Sequence, residues 1–153
     1  MRFLAWSPLV ALGIASCLIV GCGEPAVENS PEVYENNALS EVRDMYELYT
    51  QTKHKAPKSL KDFQAMFSEG NPTGIYAIKS GAVVVIWDVA LNENRDADSP
   101  DEVLAFVSDV PEKGGIVLMK NRSLKKMTAE EFSAAPKAGA IEEPKAKGKA
   151  KAG

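Results

Sequence analysis

Apolar residues recur at helical spacing in the first half of this chain and run together in the second, so helix is expected before sheet. Leu39, Val42, Met45, Tyr46 and Tyr49 stand three and four apart, while Glu41, Arg43, Asp44 and Glu47 fill the remaining faces. That stripe predicts an amphipathic helix from about Asn37 to Thr52 with one side to bury. Pro57 stops its continuation. Ser59, with Asp62 three residues on, reads as a capping box for a short second helix whose Leu60, Phe63 and Phe67 face inward. The breakers Gly70-Asn71-Pro72-Thr73-Gly74 mark a turn.

The periodicity then changes. Ile75 to Lys79 and Ala82 to Trp87 are rich in β-branched and aromatic residues and read as a hairpin joined across Lys79-Ser80-Gly81. The unbroken Val83-Val84-Val85-Ile86-Trp87 suggests a strand covered on both faces, or one central to its sheet. Asn92 to Glu102 is a polar, acidic loop. Val103 to Val107, Gly115 to Lys120 and Ser123 to Met127 are three further strands, the last two joined by a tight Asn121-Arg122 turn. Thr128-Ala129-Glu130-Glu131 is a capping box opening a short helix through Ala135. The predicted class is therefore α+β: one long N-terminal helix packed on a small antiparallel sheet, with a short C-terminal helix, since neither apolar surface can be buried alone. From Pro136 onward Ala, Lys, Gly and Pro dominate without an apolar face, which predicts a disordered tail over 136–153. One domain is expected over 37–135.

The N-terminus carries a different message. Arg2 precedes an apolar segment from Phe3 to Val20, and the segment closes on Ile19-Val20-Gly21-Cys22. This reads as a bacterial lipobox, in which the Cys after small and aliphatic residues is acylated. Residues 1–21 would then be a lipoprotein signal peptide, Cys22 the palmitate-bearing first residue, and 22–36 a polar tether. The segment also approaches the roughly 20 residues of a spanning helix, so an uncleaved anchor is the competing reading. Slim residues before the Cys favour cleavage. Two or three acyl chains hold far better than one, each buried methylene contributing about 0.8 kcal/mol. Gly23 and Glu24 carry no aspartate retention signal, which favours the outer membrane of the cell envelope.

Composition narrows the chemistry. Of two cysteines, Cys17 would leave with the signal and Cys22 would carry lipid, excluding disulfides, zinc thiolates and cysteine nucleophiles from the body. Residues 23–136 hold 12 basic against 19 acidic side chains, about −7. So acidic a body is a poor binder of phosphate backbones, and no nucleic-acid partner is expected.

Residues 103–132 resemble the C-terminal part of pseudopilin-like proteins abundant in planctomycetes. Val103-Leu104-Ala105-Phe106 and Gly114-Gly115-Ile116-Val117-Leu118-Met119 match the two strands of that part. Leu124-Lys125-Lys126-Met127-Thr128-Ala129-Glu130-Glu131-Phe132 matches its closing strand and helical start. The resemblance implies a pseudopilin-like sheet, with the helix around Leu39 to Tyr49 standing for the soluble half of the pilin helix. Asn121-Arg122-Ser123 replaces the family's Asp-Gly-His, so the residue that eases positive φ is missing. A lipobox stands where the prepilin cleavage site would be.

Candidate chemistry is sparse. In the acidic loop Asn94, Asp96 and Asp98 alternate, offering three oxygen ligands to a hard cation such as Ca2+; some secretion pseudopilins bind calcium in a loop of this region. The calcium-loop pattern then breaks, with Ser99 in place of the turn glycine and Ala105 in place of the bidentate Glu, and a solvated loop made polar to stay outside is the favoured explanation. His54 is the single histidine, placed between Lys53 and Lys55 where a basic side chain serves a helix end. Glu131 is explained by its capping box, and Glu130 beside it does not face it. Tyr76 and Trp87 are expected in the core or on the sheet. The lysines at 145, 147, 149 and 151 could touch anionic cell wall, though solubility of a free terminus explains them too. With no nucleophile elbow and no phosphate loop, the expected function is non-enzymatic: a membrane-anchored envelope lipoprotein displaying an interaction domain to a protein partner. The alternative is a calcium-binding accessory protein using 92–102.

Overall fold

A computed structural model describes residues 30–67, 72–93 and 101–141. Helix α1 spans Pro31–Lys53, starting six residues earlier than the apolar stripe suggests. Its start is made by polar chemistry: Ser30 Oγ accepts the Val33 N–H at 3.3 Å, Pro31 opens the first turn and Glu32 follows it. The part of the expected tether from Pro31 onward is thus helix. At the other end His54 adopts the left-handed conformation (φ 53°) and its own N–H donates to the Thr50 carbonyl at 2.9 Å, so its backbone, not its imidazole, ends the helix.

Helix α2 (Leu60–Met66) begins at the expected Ser59–Asp62 cap, with the Asp62 carboxylate accepting the N–H groups of Lys58 and Ser59 at 2.7 and 3.2 Å. The expected hairpin does not form. Thr73–Ser80 is helix α3, ended by Gly81 at φ 82°, and only Val83–Val85 is strand, β1. The deciding contact is distant in sequence. Gly74 lies so close to α1 that an added Cβ would sit 2.9 Å from the Met45 methyl and 3.2 Å from the Ala38 carbonyl. The Glu41 carboxylate accepts the Gly74 N–H at 2.8 Å. Packing against α1 therefore overrides the β-propensity of Ile75 and Ile78. It also turns Tyr76 outward, 64% exposed, instead of into core or sheet.

Strands β2 (Val103–Val107), β3 (Gly115–Met119) and β4 (Leu124–Met127) follow, with a short helix α4 (Val110–Lys113) between β2 and β3 and helix α5 (Ala129–Ala134) after β4. All pairings are antiparallel in the order β1-β2-β3-β4. The run of valines is thus an edge strand, buried without being central. Val84, Phe106, Val117 and Lys125 line one face of the sheet, and Val85, Ala105, Leu118 and Leu124 the other. Phe132 of α5 covers the first, its ring 4.8 Å from that of Phe106. Helix α1 covers the second with Ala38, Leu39, Val42, Met45, Tyr46 and Tyr49, all buried. Thr128 and Glu131 form the expected capping box, with bonds of 3.2 and 2.8 Å.

Residues 136–141, expected as the start of a disordered tail, are ordered. Lys137 forms a parallel bridge with Val103 at the root of β2. The class α+β, with a long N-terminal helix on a four-stranded antiparallel sheet, is what the structure shows.

Beneath the C-terminal half of α1, Phe63 is ringed by Tyr46, Tyr49, Phe67 and Trp87 at centroid distances of 6.0, 6.4, 6.2 and 5.3 Å. The Tyr46 hydroxyl donates to the Val89 carbonyl at 2.8 Å and accepts the Val89 N–H at 3.2 Å. Burial pushes this phenol up to about 12. In the unfolded chain it ionises near 10. Stability held below pH 10 is therefore lost as pH rises from 10 to 12, by about 2 kcal/mol. Urea unfolding at pH 9 and pH 12 should show this loss in wild type and a smaller one in Tyr46→Phe; equal losses would contradict the assignment.

Candidate functional site

Two polar regions lie at opposite ends of α1. The first is the root of the acidic loop. Asn92 Nδ2 donates to Asp101 Oδ1 at 2.7 Å, and the Asn121 N–H donates to Asp101 Oδ2 at 2.5 Å. The Asn92 carbonyl accepts Arg122 Nη1 at 2.8 Å, and the Asn92 N–H donates to the Lys120 carbonyl at 3.2 Å. Lys120 Nζ pairs with Glu102 at 2.8 Å. These bonds make the loop's two ends and the β3–β4 turn one unit.

The turn itself is strained. Arg122 stands at φ 75°, the left-handed region where the missing glycine would sit without cost. Asn121 eases the geometry by accepting both the N–H and the hydroxyl of Ser123 through Oδ1, at 2.9 and 2.7 Å. In return the guanidinium reaches α1, with Nε 3.7 Å from Glu47 Oε1 and both side chains mostly buried. At that distance the contact is an ion pair, and Nε makes no hydrogen bond.

Two carboxylates of the acidic stretch, Asp101 and Glu102, are thus committed to structure. A cation would need Asn94, Asp96 and Asp98, which lie outside the described residues. Among the described residues no group of three His, Cys, Asp or Glu side chains is assembled for a metal.

The second region is an open groove of about 710 Å³ at the start of α1, walled by α4, the beginning of β3 and the start of α5. Gly114 is among its lining residues, at φ 71°, where an added Cβ would lie 2.6 Å from the Met127 carbonyl. Five carboxylates line it (Glu32, Glu35, Glu112, Glu130, Glu131) against two ammonium groups, Lys113 and Lys126. Both lysines are engaged: Lys126 with Glu32 at 2.8 Å and Lys113 with Asp109 at 3.0 Å. The hydrogen bond and charge of Lys126 hold the Glu32 carboxyl down, and Asp109 holds Lys113 up. Burial, then the negative charges of Asp109 and Glu32, push the Glu35 carboxyl up. The groove thus holds more carboxylates than ammonium groups. Periodicity gives no hint of it, because it joins five elements, α1, α4, β3, β4 and α5.

Other sequence candidates are placed as follows. Glu131 serves its cap, while Glu130 lines the groove beside it. Trp87 is half-buried against Phe63. Tyr34, expected in the tether, is an exposed residue of α1. Cys22 and the lysines at 145–151 lie outside the described residues. Among those described, no helix is long and apolar enough to cross a membrane. Compared with family models, curated proteins and solved structures, the chain matches none.

The loop root separates a structural acid from candidate ligands. Asp101→Ala strips partners from the Asn121 N–H and the Asn92 amide and should cost about 2 kcal/mol. Thermal melts should therefore show a fall of about 10 °C, with or without millimolar calcium. Asp96→Ala combined with Asp98→Ala should melt like wild type in chelator and abolish any rise that calcium produces. An Asp101→Ala protein as stable as wild type would refute this division.

Proposed function

We propose that this chain is a non-enzymatic envelope lipoprotein, held by acylated Cys22, whose α+β domain is an interaction module. The observation that carries the proposal is the spacing of the lipobox from the fold. Only eight peptide steps separate Cys22 from Ser30, the cap of α1. Even fully extended they span at most about 28 Å. The anchor therefore keeps the start of α1, and the acidic groove beside it, close to the membrane surface. There the groove offers its surplus carboxylates to a basic segment of a protein partner.

The pseudopilin-like part of the reading draws support from a long N-terminal helix laid across an antiparallel sheet. Under this reading the lipid replaces the hydrophobic half-helix that holds a pilin in its filament. The domain is displayed singly at the envelope, with the outer membrane its favoured address.

Palmitate labelling, membrane fractionation and crosslinking in intact cells test the proposal together. Wild type should be labelled, should sediment with membranes, and should crosslink to a partner. Cys22→Ser should lose the label, keep its leader and lose the crosslinked partner. An unlabelled wild type that behaves like Cys22→Ser would leave an uncleaved helical anchor as the correct reading.

A further inference from the structure

We propose that residues 136–141 are a latched strap that occupies, within the same chain, a strand-addition site on β2, with Lys137 as the latch. The site arises because β1 leaves the sheet early. Ile86 still donates its N–H to the Leu104 carbonyl at 2.8 Å, but Asp88 turns away at φ 59° and gives its N–H to the Pro57 carbonyl at 2.8 Å. Val103, the next position along β2, is fully buried and has no β1 residue beside it. Buried backbone groups need partners. The strap supplies them: the Val103 N–H donates to the Pro136 carbonyl at 2.9 Å, and the Ala138 N–H donates to the Val103 carbonyl at 3.0 Å.

Shape and charge hold the strap in place. Gly139 lies against the side chains left at the end of β1, where an added Cβ would be 3.1 Å from Ile86 Cγ2 and 3.7 Å from Val89 Cγ2. The Lys137 ammonium donates to the carbonyls of Phe132 and Ala135 and sits 4.1 Å over the Phe132 ring. Those carbonyls are at the end of α5, where helix acceptors lack partners of their own. The same Phe132 packs on Phe106 in the core. One side chain thus ties the strap to α5 and, through it, to the sheet.

Two main-chain bonds and one ammonium are a small holding force beside the core, so the strap opens on its own, below global unfolding. Opening leaves the N–H and carbonyl of Val103, beside Ile86 and Val89, without the strap groups that pair them.

Amide hydrogen exchange on the full chain tests this with wild type, Lys137→Ala and Ala138→Pro, the last removing the strap bond from the Ala138 N–H to the Val103 carbonyl. In wild type the Val103 amide should exchange faster than those of Phe106 and Val117. In both variants Val103 should exchange roughly tenfold faster still, the loss of about one hydrogen bond, with Phe106 and Val117 unchanged. Val103 unchanged in both variants would overturn the proposal. So would all three amides accelerating together, which would make the strap an ordinary part of the core.

Discussion

Burial of one face of α1 is the constraint on which this structure depends. Ala38, Leu39, Val42, Met45, Tyr46 and Tyr49 form a stripe wide enough to be shared. The sheet takes one flank, while α2 and α3 take the other through Phe63 and Gly74. Each large side chain in the stripe contributes about 1.5–3 kcal/mol over its exposed state, so the helix outweighs every surface ion pair in the molecule. Even the polar contacts are subordinate to this packing. Glu41 bonds Gly74, Tyr46 bonds Val89 and Glu47 faces Arg122, each fixing where a neighbouring segment meets the stripe.

The direction of α1 also gives the domain two distinct ends. At its start the carboxylates of the groove gather. Toward its C-terminal half the acidic loop is rooted, and the strap passes Val89, which Tyr46 holds. Helix α1, with its buried stripe between them, holds these two polar ends apart.

Much of this was legible from residue spacing, because the responsible interactions are local. The stripe of α1, the strands from Val103 to Met127, and the caps at Ser59–Asp62 and Thr128–Glu131 all depend on neighbours within a turn or a pleat. What escaped depends on distant contacts. Ile75 and Ile78 favour a strand until Gly74 meets α1, and Lys137 looks like tail until β1 abandons Val103. The early start of α1 was local and still escaped, because Ser30-Pro31-Glu32 signals a helix through capping alone, seven residues before the first buried position at Ala38. The candidate ligands Asn94, Asp96 and Asp98, and the lipidated Cys22, remain readings of the sequence. The groove could not be read there, since no single segment contains it.

Unfolding in urea of residues 22–153 expressed alone tests the central claim most directly. Trp87 is their single tryptophan and packs on Phe63, whereas far-UV circular dichroism reports α1 and the sheet together. A stripe shared by both flanks predicts coincident transitions, with Leu39→Ala lowering both midpoints together by about 2–5 kcal/mol of stability. A Trp87 transition at lower urea, with the dichroism retained, would contradict the account.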